Sequence, residues 1–386
     1  MLAVNGPATS AIPTSRTEGG IAQAPPAAFS PATVAQLQQI IRSHRAILVK
    51  GAGSKPALST PGDDLTTVID MSSMSGILDY EPDEYTITAL AGTPVAEITQ
   101  LLAQHGQYLP FDPPLARAGA TLAGTAAAGI SGSNRYRYGG ARDFILGIRF
   151  VDGQGNLLQG GGRVVKNAAG FDLPKLMVGS LGRLGILTEL TFKVFPKPEA
   201  FATLSVEFKA VDTARRAMID LSRASLDLEA LDLQPTDHGA RLWIRISGLA
   251  QLLDARLDRL QALVGDGQIL TGAGDERYWQ SVSEFQWAPW DSALIKIPLT
   301  TGQIPAVEAL LRPQNAPRRY AVGGNVLWLT LPDLPSSLAE SLSHLEMAGL
   351  VLRGAPGQPC IGTPPGADFA RRVKQVLDPD QRFLEL

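Results

Sequence analysis

The first clear pattern along the chain is helical, and it follows a run rich in Pro, Ala, Gly, Ser and Thr. Ser30 and Pro31 are residue types that favour the N-cap and the first position of a helix. Val34, Leu37 and Ile41 recur at the spacing of a single helical face. The pattern therefore predicts a helix that starts at Ser30 and packs one apolar face on a core.

Short apolar runs between polar turns predict the strands of a mixed α and β region. A helix is predicted from Thr93-Pro94 to Gly106, where glycine ends it. The turn 152–156 contains two glycines and follows the fourth apolar run, which predicts a hairpin. The predicted strands are 46–50, 66–70, 85–90, 144–151 and 186–195.

A second region begins beyond Lys197-Pro198, where a Pro-flanked polar segment separates two self-contained patterns. It opens with a strand at Phe201 and a helix that Asp212 is predicted to cap. Its longest element is an amphipathic helix over 249–264. Strands at 228–233 and 242–246 and a strand–helix series over 293–331 complete it.

The composition limits the functions open to this chain. Its 386 residues exceed the size at which a single core stops growing, which favours two domains. Lys and Arg number 34 against 37 Asp and Glu, for a net charge of -3, so the basic excess typical of nucleic-acid binding is missing. The uncharged stretch between Arg117 and Arg135 has too much Gly, Ala, Ser and Thr for a membrane span, and we predict no transmembrane segment.

Residue counts also limit metal and disulfide chemistry. Cys360 is the only cysteine, so an internal disulfide framework, a cysteine-based zinc site and an iron–sulfur cluster do not fit within this chain. The four histidines have no ligand spacing, and two of them, His44 and His105, fall near predicted helix C-termini, where a partial positive charge suits the helix dipole. We therefore predict no metal site and a reducing compartment.

Glycine-rich chemistry begins directly after the predicted strand 46–50, with the run from Lys50 to Lys55. Glycine there lets backbone N–H groups approach an anion, while Ser54 and Lys55 can add a hydroxyl donor and a charge for a pyrophosphate. The run does not match the dinucleotide fingerprint, because Pro56 stands at the third glycine position. Taken alone, it is equally consistent with a structural turn.

Two more glycine-rich elements lie in the same region. One is the stretch 119–132, which follows Asp112-Pro113-Pro114; it is so poor in side-chain volume that backbone can lie against a flat or diphosphate ligand. The alternative interpretation is a tightly packed helix of small residues. The other comprises Gly160-Gly161-Gly162, 166–172 and 179–189. Three such elements in one domain predict one extended ligand.

These elements, in this order, resemble the FAD-binding domain of vanillyl-alcohol-oxidase-type and cresol-methylhydroxylase-type flavoproteins. The resemblance covers Pro31 to Pro196. Asp112-Pro113-Pro114, the run 124–127 and the run 166–172 are most similar to the smaller FAD-binding subunit of glycolate oxidase, the E subunit. The resemblance implies an α+β fold, with a two-subdomain FAD-binding domain of the cresol-methylhydroxylase type and a smaller α+β cap domain.

The resemblance also implies a division of the chain and a set of cofactor-binding residues. Residues 1–30 are expected to form a flexible leader, 31–196 the FAD-binding domain, 197–345 the cap, and 346–386 a segment that returns to the FAD-binding domain. The implied FAD-binding residues are Lys50, Gly51, Ala52, Gly53, Ser54, Lys55, Pro114, Gly119, Ala120, Thr121, Leu122, Gly124, Thr125, Gly132, Gly185 and Ile186.

Three departures from the family pattern shape the expected chemistry. Ser54 stands where covalently flavinylated relatives carry histidine, so non-covalent FAD is expected. Self-sufficient hydroxy-acid oxidising relatives carry a histidine-rich motif late in the cap, and the nearest segment here, 321–327, contains no histidine. The family's Asn-Pro-Gly near the end is replaced by 380–383, which affects a peripheral flavin contact.

Catalytic residues are not identified by the sequence, and the candidates have structural alternatives. Lys166 and Asn167, with Asp172, could face the flavin, or they could be a solvated charge and a helix cap. Arg142, with Arg135 and Arg137, could bind a carboxylate or dock a partner subunit. Three tryptophans are expected to cluster around Phe285 in the cap, as a cavity lining, a cap core or a subunit interface: Trp279, Trp287 and Trp290.

The function that follows is an FAD-dependent oxidoreductase acting on CH–OH groups as part of a complex. Its substrate would be a small, glycolate-like 2-hydroxy acid, and its partners a larger flavoprotein subunit and an iron–sulfur subunit. Two alternatives stay open: a stand-alone FAD-linked oxidoreductase of another alcohol or hydroxy acid, and a non-catalytic flavin-binding scaffold subunit. The expected location is cytoplasmic, with membrane association only through partner subunits.

Overall fold

Small sheets organise the first half of the chain. The computed structural model describes residues 27–162, 171–354 and 356–385. The strands of this half are β1 (Ala28–Phe29), β2 (Ile47–Lys50), β3 (Thr67–Asp70), β4 (Ile77–Glu81), β5 (Thr86–Leu90), β6 (Gln107–Tyr108), β7 (Ile145–Val151), β8 (Leu157–Gly161), β9 (Ile186–Lys193) and β10 (Phe195–Pro196). A parallel sheet has the order β1-β3-β2, an antiparallel sheet has the order β4-β5-β9-β7-β8, and β6 pairs with β10.

The helices of this half are short and sit around these sheets. They are α1 (Val34–Ser43), α2 (Pro56–Ser59), α3 (Val95–Gln104), α4 (Leu122–Ala128), α5 (Arg135–Tyr138), α6 (Ala141–Phe144) and α7 (Leu173–Met177), with a 3-10 turn at Met71–Ser73.

A nine-stranded sheet organises the second half. Its strands are β11 (Ala200–Phe208), β12 (Leu228–Thr236), β13 (Gly239–Gly248), β14 (Gln268–Thr271), β15 (Ala293–Pro298), β16 (Arg318–Ala321), β17 (Val326–Leu331), β18 (Ala348–Arg353) and β19 (Cys360–Gly362). Its order is β14-β11-β13-β12-β16-β17-β15-β18-β19. The helices are α8 (Val211–Arg223), α9 (Ala250–Val264), α10 (Ala273–Ser283), α11 (Ile304–Leu311), α12 (Ser336–His344) and α13 (Ala367–Leu377), with a 3-10 turn at Arg312–Gln314.

The two halves have separate apolar cores that meet at the nine-stranded sheet. One face of that sheet packs on α8, α9, α11 and α12 through residues such as Leu257 and Leu342. The opposite face contributes Trp328 and Leu352 to the core of the first half. Alternation of side chains across the strands thus lets one sheet serve both cores.

The hairpin predicted after 144–151 is present. Val151 pairs with Leu157 at the closed end of the β7–β8 ladder. Asp152 shapes the turn, because its Oδ1 accepts hydrogen bonds from the backbone N–H groups of Gln154 at 2.9 Å and Asn156 at 2.8 Å. A local side-chain-to-backbone pattern of this kind explains why the turn was predictable from its residue types.

Two predicted helix caps are wrong. The helix α1 begins at Val34 rather than Ser30, because the Thr33 hydroxyl accepts from the Gln36 N–H at 3.3 Å and is the N-cap. Asp212 does not cap α8, whose N-cap position is Ala210. The Asp212 carboxylate instead lies within the first turn and pairs with Arg215 and Arg216.

The chain returns to the first half later than the sequence suggests. Strands β18 and β19 belong to the nine-stranded sheet, so the return predicted from residue 346 starts only after β19. Beyond α13, Phe383 forms a parallel bridge with Ile47 of β2. Of the predicted leader, 1–30, residues 1–26 lie outside the described part of the chain. Across the described ranges, no helix is both long enough and apolar enough to cross a membrane.

Candidate functional site

The first glycine loop leaves the end of β2 and runs to Pro56, the first residue of α2. Gly53 has φ +76°, a left-handed conformation that disfavours any residue with a side chain. A Cβ at Gly53 would meet no atom within 4 Å, so the backbone here borders open space. The loop therefore presents its backbone toward a space that a ligand can occupy.

The second glycine loop lies directly against the first. Thr121 is the N-cap of α4, and its Oγ1 accepts from the Gly124 N–H at 3.2 Å. A Cβ at Gly51 would come within 2.3 Å of that same Oγ1, so only glycine allows this approach. The two loops thus share one wall.

The third glycine element closes the other side. A Cβ at Gly182 would lie 2.0 Å from Cγ1 of Val49, so the segment 181–187 packs tightly on β2. The three elements together border a cavity of about 680 Å³, which includes its open mouth.

Most of the predicted cofactor-binding residues line this one cavity. They are Lys50, Gly51, Ala52, Gly53, Ser54, Lys55, Thr121, Gly124, Gly185 and Ile186. The others do not line it. Gly119 borders the first loop, since its Cβ would be 3.8 Å from the Ala52 side chain, whereas Leu122 is buried in the core and Gly132 packs on Asp112. Pro114, Ala120 and Thr125 likewise lie outside the lining.

Sequence reasoning missed the apolar part of the lining. Six of these residues belong to the glycine-rich stretches 119–132 and 179–189, so the sequence does contain a signal for them: Ala123, Ala127, Ala128, Leu181, Gly182 and Leu187. The remaining lining residues come from β2, α2 and nearby turns and belong to no motif: Val49, Leu58, Ser59, Met71 and Ala91.

A buried cation makes the cavity suitable for an anion. Lys55 is 6% exposed, and its ammonium donates to the Ser54 hydroxyl at 3.1 Å. Burial lowers the pKa of Lys55 to about 8. Lys50 differs, because its Nζ lies 3.1 Å from Oδ2 of Asp70. No carboxylate in the described part of the chain lies within ion-pair distance of Lys55, so its charge is left for a ligand to neutralise.

The residues present fit a dinucleotide with a diphosphate. Glycine backbone from two loops and one unneutralised lysine suit the diphosphate, while the alanines of α4 and Leu181 and Leu187 provide apolar surface for rings. Near the lining, the hydroxyls of Thr125 and Ser180 are buried without a hydrogen-bond partner in the structure.

The catalytic candidates that lie in the described part of the chain do not line the cavity. Lys166 and Asn167 lie outside the described residues. Arg142 is exposed on α6 and is absent from the lining. Asp172 caps α7, accepting from the Lys175 N–H at 3.1 Å, which is the structural alternative considered for it.

The predicted carboxylate-binding arginines are also used differently. Arg137 donates to Glu229 of β12 at 3.0 Å, and the Tyr138 hydroxyl donates to the same oxygen at 2.9 Å. Arg135 is exposed on α5. Arg137 therefore joins α5 to the nine-stranded sheet, and its guanidinium already pairs with a carboxylate of the chain.

The expected cluster of three tryptophans does not form. Trp279 packs with Trp243 and Tyr278 in a small cluster of its own. Trp287 contacts Phe285, at 6.4 Å between ring centroids. Trp290 is 76% exposed and lies beside Arg353. The aromatic partner closest to Phe285 among its ring contacts is Trp328, at 4.7 Å, which comes from a distant strand.

The chain is similar to known FAD-binding proteins. Residues 25–161 match the model of the FAD binding domain family. Glycolate oxidase subunit GlcE of Escherichia coli K12 is 36% identical over 265 residues, an alignment that covers 67% of this chain and 69% of that protein. Glycolate oxidase subunit GlcD of Bacillus subtilis 168 is 27% identical over 267 residues, covering 64% of this chain and 57% of that protein.

A solved structure shares the fold. Alkyldihydroxyacetonephosphate synthase superposes with a TM-score of 0.67 at 15% identity, over 92% of this chain and 76% of that one. These similarities, together with the α+β fold, show a flavoprotein with an FAD-binding domain. The chain belongs to the FAD-binding family of the cresol-methylhydroxylase type, together with glycolate oxidase subunit GlcE. The predicted family, fold class and FAD cofactor are thereby confirmed.

Proposed function

We propose that this chain is the FAD-binding subunit of a complex that oxidises a small 2-hydroxy acid such as glycolate and passes electrons to an iron–sulfur partner. The observation that carries the proposal is the single cavity bordered by all three glycine elements, with the buried Lys55 charge at its edge. The similarity to two glycolate oxidase subunits supports the substrate class.

Named residues would hold the cofactor. The diphosphate would lie against the backbone of Gly51, Gly53 and Gly124, with Lys55 supplying the opposing charge. Bound FAD would accept the two electrons removed from the C–H and O–H of the hydroxy acid. Ser54 has no group for a covalent link of the histidyl kind, and its hydroxyl already accepts from Lys55, which supports non-covalent binding.

The lack of histidine in the segment 321–327 supports the role of a subunit rather than that of an independent enzyme. The segment 321–327 forms the turn between β16 and β17, where self-sufficient relatives are expected to carry histidines. Val322 in this turn donates its N–H to the Asp232 Oδ1 at 3.1 Å, and Gly323 donates to the Leu231 carbonyl at 2.7 Å. The turn is thus held in place by backbone contacts and offers no histidine to take a proton.

The test is anaerobic mixing of the purified, FAD-loaded chain with glycolate, alone and with its flavoprotein and iron–sulfur partners. We expect negligible bleaching of the visible flavin band in the isolated chain and dye reduction only in the assembled complex. Rapid bleaching in the isolated chain would instead identify a stand-alone oxidoreductase.

A variant that cannot bind FAD distinguishes a catalytic role of the flavin in this chain from a scaffold role of the chain. Gly53→Val should remove FAD from this chain, and the complex built with it should lose glycolate-dependent dye reduction. A complex that turns over normally with the flavin-free variant would identify this chain as a scaffold subunit.

A further inference from the structure

The segment 378–385 pairs with the start of β2, the strand that leads into the first glycine loop. Phe383 is 2% exposed and pairs with Ile47, the first residue of β2. The Ile47 N–H donates to the Arg382 carbonyl at 2.7 Å, and the Leu384 N–H donates to the Ile47 carbonyl at 3.2 Å. The strand that leads into the loop at Gly51 is therefore braced by residues from the far end of the chain.

Asp378 organises this segment. Its carboxylate is completely buried and accepts hydrogen bonds from the Lys374 ammonium at 2.9 Å, the Arg382 N–H at 2.8 Å and the Phe383 N–H at 3.0 Å. A Cβ at Gly153 would lie 2.1 Å from its Oδ1, so the β7–β8 turn closes over it. A buried carboxylate with three donors holds its neighbours in one geometry, because a buried donor or acceptor left without a partner would lower the free energy of unfolding.

Arg382 connects the same segment to α1. Its Nη1 donates to the carbonyls of Ile41 at 3.1 Å, Arg42 at 2.8 Å and His44 at 3.1 Å, which are the carbonyls at the end of that helix. These carbonyls have no partner within the helix and carry its partial negative charge. Arg382 therefore fixes the segment to the helix that precedes β2.

The segment also reaches the opposite wall of the cavity. Arg183 donates to the Glu385 carbonyl, and Lys374 donates to the Arg183 carbonyl at 3.0 Å. Arg183 directly follows Leu181 and Gly182, which line the cavity and pack on Val49. One segment thus contacts both the β2 wall and the 181–187 wall.

We propose that docking of the segment 378–385 is coupled to FAD binding, with Asp378 and Arg382 as positioning residues for the first glycine loop. The proposal rests on the assignment of the cavity to FAD. A docked segment holds both cavity walls at the separation that the cofactor needs, and a bound cofactor holds the walls to which the segment docks. Because coupling is reciprocal, each event strengthens the other by the same factor, typically 5- to 150-fold.

The equilibrium test compares two buried carboxylates with similar surroundings. Asp378→Asn should raise the Kd for FAD about tenfold or more, measured by quenching of flavin fluorescence on binding. The control is Glu308→Gln, since Glu308 accepts from Arg318 and Tyr320 inside the core of the nine-stranded sheet and lines no part of this cavity. We expect Glu308→Gln to lower the Tm and to leave the Kd unchanged. An unchanged Kd in Asp378→Asn, or equal rises in both variants, would overturn the coupling.

Hydrogen exchange of the wild-type chain tests the reciprocal effect without any variant. FAD should slow exchange of the backbone amides in 378–385 by at least fivefold, as well as that of the loops. FAD that binds and protects the loops but leaves 378–385 unaffected would disprove the coupling while leaving the proposed function intact. If wild-type chain bound no FAD at all, the proposed function itself would fail.

A milder variant covers the case in which Asp378→Asn does not fold. Arg382→Lys keeps the charge but cannot reach three carbonyls with one planar group. It should raise the Kd for FAD several-fold and speed exchange in 378–385. Wild-type values for both quantities would count against a positioning role for Arg382.

Discussion

The Ser133 hydroxyl donates to Oδ2 of Asp232 at 2.6 Å, and this hydrogen bond joins the segment after the second glycine loop to the nine-stranded sheet. Asp232 is completely buried and also accepts from Arg319 Nε at 2.7 Å. Its other oxygen, Oδ1, accepts from the N–H of Val322, which lies in the β16–β17 turn and has φ +59°. One carboxylate on β12 therefore joins the segment after the second glycine loop to β16 and to the β16–β17 turn.

Loss of the Asp232 charge should be strongly destabilising. Asp232→Asn leaves the Arg319 guanidinium buried without its counter-ion, which costs roughly 3–5 kcal/mol in comparable buried pairs. The measurement is the free energy of unfolding from urea titration. The control is Asp212→Asn, whose carboxylate is on the exposed face of α8, and which should leave the urea midpoint unchanged. Equal midpoints for the two variants would contradict this account.

Gly53→Val should yield soluble protein without flavin. The change imposes a branched side chain at φ +76° and fills the space into which the loop backbone faces. The flavin-to-protein absorbance ratio after purification measures the loss. Gly265→Val is a matched control, because Gly265 has φ +94°, also with open space around its Cβ position, but ends α9 far along the chain. It should cost about 1–2 kcal/mol of stability and retain full flavin.

Gly124→Val tests the second loop in the same way. A Cβ at Gly124 would already lie 2.8 Å from Oγ1 of Thr121, so valine would displace the cap of α4 from the wall it shares with Gly51. We expect loss of flavin and a lower Tm, since a ligand that binds only the folded state stabilises it. Retention of a full flavin complement in both glycine variants would mean that the cavity is not the FAD site.

Acid precipitation should release all of the flavin into the supernatant. The first loop contains Ser54 and Lys55 but no histidine for covalent attachment. The absorbance of the supernatant and of the washed pellet gives the two fractions. Yellow colour that stays with the precipitated polypeptide would refute non-covalent binding.

Affinity for FAD should fall as the pH rises above about 8. Burial lowers the pKa of Lys55 from 10.5 to about 8, so between these values the unfolded chain binds more protons at this position than the folded apoprotein. The contribution of Lys55 to apoprotein stability therefore increases as the pH rises through that window. A bound diphosphate favours the charged form of the Lys55 ammonium. Deprotonation of Lys55 at higher pH therefore weakens FAD binding.

Titrations of FAD binding at a series of pH values check this linkage. The Kd should rise with pH above 8, by at most tenfold per pH unit for a single proton. Lys55→Met should bind FAD more weakly below pH 8 and lose this part of the pH dependence. A wild-type Kd that is flat from pH 7 to 10 would show that Lys55 does not face the diphosphate.

Long-range partners are the features that sequence reasoning could not supply. The residue type of Arg137 fits carboxylate binding, but in the fold Arg137 pairs with Glu229. Three tryptophans that are close in sequence predict one cluster. Trp279, Trp287 and Trp290 lie in and just after one helix, yet their side chains enter different surroundings. Proximity along the chain does not determine which core a side chain enters, because neighbouring positions on a helix and the turn after it point in different directions.

Three local features follow from the sequence alone: the hairpin at 152–156, the glycine loops after β2 and before α4, and the absence of histidine from the segment 321–327. These depend on residue types at adjacent positions, where backbone conformation and short-range hydrogen bonds decide the outcome. The contacts of Gly51 with Thr121, of Gly182 with Val49 and of the segment 378–385 with Ile47 cannot be read from the sequence and are known from the fold. Such contacts join residues that are far apart in the chain. They form only in the complete fold, because close packing at glycine positions and hydrogen bonding of buried polar groups are satisfied together in one arrangement of the whole chain.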